Sequence, residues 1–206
     1  MNSLTRMWLV WWHGQKFAVR GKHCNFPVPD LWVSGDVRLG DRCRFRNNTS
    51  LRAHPGGRII FEMRSGCSWG CLLDAKAEIR IGRFAGIAEY TILRDHMPLL
   101  GGAEIPWREA REYIAPIHIG ENCLVGSNCF VGPGVTMGDS SVLAPHSVLL
   151  ESTGPCEVWA GIPARKVGHR TENVPEARLR EFRELVAAQG FRKVRYEEDQ
   201  EWRLEP

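Results

Sequence analysis

Of the seven histidines in this 206-residue chain, one stands where an imidazole could act on another molecule. His13, His23, His54, His96, His118, His146 and His169 include no pair with compact metal-ligand spacing, and no HExxH or Cys/His cluster accompanies them, so no metal is expected. His96 differs by position. It follows Leu93-Arg94-Asp95 at the start of a stretch, residues 95–116, that breaks the pattern on either side of it. An imidazole with a pKa of ~6.5 can take a proton from a hydroxyl near neutral pH, and such help is worth ~10²–10⁴ in rate. Asp95, Glu109 and Glu112 are the carboxylates that could orient the ring or meet a substrate, and the sequence does not choose among them. The seven cysteines contain no CxxC pair, and their odd number argues against a closed disulfide framework.

The element that must hold His96 is a repeat. From Ile117 to Leu149 large apolar residues recur every six positions, at Ile119, Val125, Val131, Met137, Leu143 and Leu149. Four residues after each comes a small or slim one: Cys123, Cys129, Val135, Ser141, Ser147 and Thr153. Gly120, Gly126, Gly132, Gly138 and Ala144 directly follow the large residue, where a tight turn favours glycine. A period of six is neither helical nor the alternation of a half-buried strand; it is the hexapeptide signature of a parallel β-helix. Three hexads close one triangular coil, which buries its apolar face only by stacking on its neighbours.

The same register extends upstream. Leu39, Phe45 and Leu51 serve the first legible coil, Phe61, Cys67 and Leu73 the second, and Ile81, Ile87 and Leu93 the third. Cys43, Cys67, Cys71, Cys123 and Cys129 fall on inward positions, where cysteine is a small hydrophobe, which fits a reducing compartment. Between Leu93 and Ile119 the spacing jumps to 26, so a long loop, residues 95–116, leaves the prism; insertions in such folds collect on the binding face. Trp107–Tyr113 reads as one or two helical turns within it.

These features resemble the hexapeptide-repeat acyltransferases, with Val158-Trp159-Ala160-Gly161-Ile162-Pro163-Ala164-Arg165 matching their closing motif. The resemblance, strongest to the maltose-, galactoside- and O-antigen-type O-acetyltransferases, implies a mainly β fold, a left-handed parallel β-helix. It also implies that His96, three residues past a core aliphatic, is the general base for direct acetyl transfer from acetyl-CoA to a hydroxyl of a sugar or glycan precursor. Gly126, Ser127, Ala144, Pro145, Arg165 and Lys166 match the cofactor positions, with Ser127 at the pantetheine arm and Arg165 and Lys166 at the nucleotide phosphates. The chain departs from the family at Leu124, where tryptophan is frequent, and at Glu151, where lysine is frequent. The family assembles as cyclic trimers with each cleft shared between subunits, so a homotrimer is expected. An N-acetyltransferase acting on an amino-sugar nucleotide or antibiotic is the nearest alternative, and a non-catalytic β-helix scaffold is one of another class.

Three parts frame the chain: an N-terminal cap segment 1–32, the β-helix 33–168, and a C-terminal helix and tail 169–206. Trp8, Trp11 and Trp12 suit a cap over the open prism, or contact with a membrane surface. Pro175 to Val186 reads as an α-helix with Leu179, Phe182, Leu185 and Val186 on one side. A net charge of +3 is too mild to indicate nucleic acid, although Arg38, Arg42, Arg44, Arg46, Arg52, Arg58 and Arg64 crowd the first coils. The apolar run Trp8–Trp12 is too short for a signal peptide or a membrane span, which points to the cytoplasm.

Overall fold

In a computed structural model the chain is described at residues 16–26, 30–101, 103, 105–170, 180 and 184. The hexads build a left-handed parallel β-helix of about seven turns. Its first face stacks the strands Val19–Arg20, Asp36–Leu39, Arg58–Phe61, Glu78–Ile81, Ile117–Ile119 and Thr136–Met137. The second stacks Arg44–Phe45, Gly66–Cys67, Gly86–Ile87, Leu124–Val125 and Val142–Leu143, and ends on Glu157–Gly161 and Ala164–His169. The third stacks Leu31–Ser34, Thr49–Ala53, Leu72–Ala75, Ile92–Arg94, Phe130–Val131 and Val148–Leu149. Pairing is parallel throughout the three faces, except that Ala164–His169 runs antiparallel against Glu157–Gly161 and closes the second face.

The columns inside the prism are those the period marks. Leu39, Phe61, Ile81, Ile119 and Met137 fill one corner, Phe45, Cys67, Ile87, Val125 and Leu143 the next, and Leu51, Leu73, Leu93, Val131 and Leu149 the third, all buried. The small positions Cys43, Ser65, Cys71, Ala85, Thr91, Cys123, Cys129, Ser141 and Ser147 are buried as well. Full burial of one such aliphatic is worth about 1.5–3 kcal/mol, so the stacked columns carry most of the stabilisation. All seven cysteines are free.

The role expected of the glycines is corrected. Left-handed φ falls not on Gly120, Gly126 or Gly138 but on the corner residues Asn122, Asn128, Ser140 and His146, and on Arg42, Asn48, Arg64, Phe84 and Tyr90 in the earlier coils. The glycines are there for close approach: a Cβ on Gly126 would sit 2.5 Å from Pro145 N, and one on Gly120 2.7 Å from Met137 O.

Two more findings depart from the sequence pattern. The described residues of 17–26 and 30–34 already belong to the solenoid: Val19 and Arg20 pair with Arg38 and Leu39, Leu31–Ser34 pairs with Thr49–Arg52, and Phe17, Phe26 and Leu31 are buried. In the insertion, Glu112–Ile114 is a strand, antiparallel to His96–Pro98, rather than the end of a helical turn. Pro106–Ala110 turns tightly, through Glu109 N–H to Pro106 C=O and Ala110 N–H to Trp107 C=O. Tyr113 and Ile114 alternate across the ribbon opposite Met97 and His96, a pairing that local helical propensity does not reveal.

The cap tryptophans lie outside the described residues. Of the stretch 175–186, Arg180 and Glu184 are described; both are helical, with an i,i+4 ion pair at 4.0 Å. Residues 171–206 form a unit of their own. No described helix is long and apolar enough to cross a membrane.

Candidate functional site

The edge between the third and first faces is where the chain turns from Ile92–Arg94 into the hairpin. Parallel register aligns Arg52, Asp74 and Arg94 along the third face, so the residues two further on, His54, Lys76 and His96, arrive at the same edge in successive coils. His96 is 8% exposed and Asp95 is fully buried.

Asp95 organises the corner. Its Oδ1 accepts from the Lys76 N–H (2.8 Å) and its Oδ2 from the Ala77 N–H (2.7 Å), both on the coil before. The same Oδ1 lies 3.1 Å from His96 Nδ1. Because an ionised carboxylate only accepts, this contact requires the proton on Nδ1 and leaves the lone pair on Nε2. Among the described residues, Nε2 has no partner closer than Asp74 Oδ2 at 3.9 Å, beyond hydrogen-bond range. The contact with Asp95 thereby fixes the orientation and tautomer of the ring.

His54 was not singled out by the sequence. Its ring meets that of His96 edge to face, centroids 5.6 Å apart, and its Nε2 bonds Asp74 Oδ1 at 2.9 Å. Asp74 is buried and also receives the Arg94 guanidinium at 3.4 Å. His54 and His96 are 42 residues apart, a spacing that carries meaning only once the coil lengths and strand register are known. Counting back from the aligned third-face strands would have found it.

The other candidate carboxylates part company. Glu112, on the returning strand of the hairpin, bonds Lys76 Nζ, which holds its carboxyl below the usual range. Glu112 thus anchors the hairpin to the preceding coil rather than orienting the imidazole. Glu109 is exposed in the turn at the hairpin tip.

The expected cofactor residues are elsewhere. Gly126 and Ser127 follow Leu124–Val125, and Ala144 and Pro145 follow Val142–Leu143, so all four lie on the edge between the second and third faces. The third face separates them from His96. Ser127 Oγ donates to Glu89 at 2.7 Å, and Ser68 Oγ donates to the same carboxylate at 2.6 Å. Those two hydroxyls hold Glu89 at a pKa of about 2. Arg165 and Lys166, on the last strand, are already paired: Arg165 with Glu151 at 2.9 Å and Lys166 with Glu157 at 2.9 Å.

For a metal, one group qualifies among the described residues. The donor atoms of His54, Asp74 and His96 all lie within 4.8 Å of one another. The set is nonetheless built as a hydrogen-bonded network, with one Asp74 oxygen on His54 and the other facing Arg94. A cation would have to displace both, and the guanidinium would repel it.

The model of the bacterial transferase hexapeptide (six repeats) matches residues 116–151. No curated protein matches the chain. Among solved structures, the chain is similar to AntD, an N-acyltransferase from Bacillus cereus crystallised with dTDP and 3-hydroxybutyryl-CoA, at 17% identity over 91% of this chain and 97% of that one, with a TM-score of 0.69. It is similar to a hexapeptide-repeat acetyltransferase from Vibrio cholerae at 20% identity over 84% and 83%, TM-score 0.58. It is also similar to a maltose O-acetyltransferase from Clostridium difficile at 21% identity over 77% and 72%, TM-score 0.56. At these identities the likeness is one of fold. The chain thus carries the bacterial transferase hexapeptide repeat, wound into the left-handed β-helix that the hexapeptide-repeat acyltransferases share.

Proposed function

We propose that the protein transfers an acyl group, acetyl in the simplest case, from acetyl-CoA to a hydroxyl of a sugar or glycan precursor, with His96 as general base. The observation that carries this reading is the buried Asp95–His96 pair at the root of the long insertion, with Nε2 left as acceptor. A sugar hydroxyl is a poor nucleophile until its proton leaves. In the proposed step Nε2 takes that proton as the oxygen attacks the thioester carbonyl. The tetrahedral intermediate then collapses, the C–S bond breaks, and the proton returns to the departing thiolate, with Asp95 stabilising the imidazolium between the two transfers. No acyl-enzyme is required, and none of the buried cysteines is offered to a thioester.

One copy of the chain does not complete this site, because base and expected cofactor edge flank opposite sides of the third face. That face supports self-assembly. Along it Trp32, Ser50, Leu72, Ile92, Phe130 and Val148 align in one outward row, mostly apolar and partly exposed. A homotrimer in which one copy's cofactor edge meets its neighbour's His96 edge would cover the row and close the cleft. Acetyl-CoA would then run along Gly126, Ser127, Ala144 and Pro145, with its phosphates toward Arg165 and Lys166. A cytoplasmic location suits a CoA thioester donor and seven free cysteines.

A second reading is N-acyl transfer to an amino-sugar nucleotide, favoured by the similarity to AntD, itself an N-acyltransferase bound to dTDP. Thiol release from acetyl-CoA over a panel of sugars and amino sugars, followed by mass spectrometry of the product, separates the two. His96→Gln should lose about two to four orders of magnitude in turnover. His54→Gln should lose far less, because its Nε2 is spent on Asp74. Turnover retained in the His96 variant, or lost equally in the His54 variant, would remove His96 from its role.

A further inference from the structure

The arginines that crowd the early coils divide by face. On the first face they are neutralised: Arg38 pairs with Asp36 at 2.8 Å, Arg58 with Glu78, and Arg80 with Glu62 at 3.3 Å and Glu78 at 3.1 Å. On the second face, among the described residues, neither Arg44 nor Arg46 has a carboxylate partner; Arg46 instead lies over the half-exposed ring of Trp69, 5.2 Å from its centroid. These two and Arg64 line a groove of about 390 Å³, open to solvent, whose floor is Gly66 and Gly86 in register.

The two glycines have different reasons to be there. A Cβ on Gly66 would lie 1.9 Å from Arg44 O, so packing of neighbouring strands excludes a side chain. A Cβ on Gly86 would meet nothing nearer than Leu124 Cδ1 at 4.0 Å, and its φ is not left-handed. The fold would accept a larger residue at position 86, in a strand that would gain from it. What glycine preserves there is the groove.

The groove also has an address. Among its described lining residues the one carboxylate is Glu89, whose oxygens are taken by the hydroxyls of Ser68 and Ser127. Ser127 is the residue expected at the pantetheine arm, so the groove abuts the donor edge on the side of the early coils. Guanidinium groups offer forked donors matched to phosphoryl oxygens.

We propose that this groove binds a phosphate or diphosphate group of the acyl acceptor, making the substrate a phosphorylated or nucleotide-linked sugar. The inference rests on the acyl-transfer reading for the word acceptor, but its test does not use turnover. Calorimetry with inorganic diphosphate and with UDP measures binding without an acyl donor. The donor's own phosphates are the competing source of the same chemistry, so CoA is titrated in parallel.

Wild type should bind both probes. Arg44→Ala/Arg46→Ala should weaken them about ten- to a hundredfold, since each loses charge-assisted hydrogen bonds. Gly86→Leu, which keeps every arginine and fills the floor, should do the same. CoA affinity should stay within about twofold in both, while Arg165→Ala/Lys166→Ala should show the reverse selectivity. Melting curves will show whether the double variant folds, and Gly86→Leu decides the matter if it does not. The proposal falls if wild type binds neither probe, if the groove variants bind them as wild type does, or if CoA is lost in parallel. Diphosphate binding at the arginines without any acyl transfer would sink the acyl-transfer reading and leave the anion site standing. Transfer to neutral sugars without diphosphate binding would do the opposite.

Discussion

Asp95→Asn is the most informative single change, because the structure gives the carboxylate two separable tasks. One is structural. Acceptance of N–H groups from a neighbouring coil is a device used elsewhere in this fold: Asp41 takes the Lys22 N–H and Asp139 the Glu121 N–H, each at 2.7 Å. Asp95 does this twice, for Lys76 and Ala77, while fully buried. An amide has one accepting oxygen, so in either orientation at least one buried N–H faces an NH2 group. An orphaned buried donor costs about 1–3 kcal/mol, and the loss of charge on the retained bonds adds about 1 kcal/mol. The expected destabilisation is about 2–4 kcal/mol, or about 4–16 °C in melting temperature for a chain of this size.

The other task is to hold the His96 tautomer. With its NH2 turned toward Nδ1, the asparagine would force the proton onto Nε2 and remove the base. With its oxygen there, the ring would keep its tautomer but lose the counter-charge that stabilises the imidazolium. Turnover, assayed by thiol release well below the lowered melting temperature, should fall about a hundredfold or more, within the range general-base help supplies. KM for acetyl-CoA should stay within about threefold, because Asp95 is fully buried and holds the ring rather than the donor. Turnover within about threefold of wild type, with the expected drop in melting temperature, would refute the coupling and leave Asp95 as a corner cap alone. An unchanged melting temperature would refute the structural half.

Three further outcomes are expected. Glu157 is held at a pKa of about 2 by Trp159 Nε1, Lys166 and the Gly154 N–H, so its contribution is present above the unfolded value of ~4.3 and is lost as pH falls from there through about 2; melting curves over that window should fall more steeply for wild type than for Glu157→Gln. Glu151→Gln should lower KM for acetyl-CoA and Arg165→Ala should raise it, since their exposed ion pair is weak and competes with phosphate for the guanidinium; steady-state kinetics with the two variants moving in the same direction would contradict this. Leu93→Ala, fully buried beneath the His96 corner, should cost about 2–5 kcal/mol by denaturant titration, and a loss below about 1 kcal/mol would mean that the corner collapses to fill the cavity.

The coils from Leu39 onward were legible because the interior imposes a volume on every sixth position, and volume is written directly in residue type. The strands Val19–Arg20 and Leu31–Ser34 were not: the buried residues Phe17, Phe26 and Leu31 around them are spaced nine and five apart, so no period announces them. His96 was legible because the break in the repeat marks it, and Asp95 because it is adjacent. His54, Asp74 and Lys76 were not, since what gathers them is register between strands in different coils, a long-range property. The helical reading of Trp107–Tyr113 failed for the same reason: Glu112–Ile114 is made a strand by its partner His96–Pro98. Likewise Arg38 and Arg44 look alike in sequence, and only the face on which each emerges gives the first a carboxylate partner and the second none among the described residues.

A solenoid with a fixed cross-section also makes distance an integer. Each added coil translates everything after it by one inter-strand step of about 4.8 Å and changes almost nothing else, because every coil repeats the same corners. The gap between the His96 corner and the closing antiparallel strands is therefore set in whole coils, here the two that span Ile117 to Leu149. Removing residues 120–137, one coil in register, would slide the closing strands one step toward the hairpin while leaving both built of the same residues. Lineages of such proteins can thus retune how far apart two edges act by in-frame duplication or loss of a coil, a discontinuous route that point substitution does not offer.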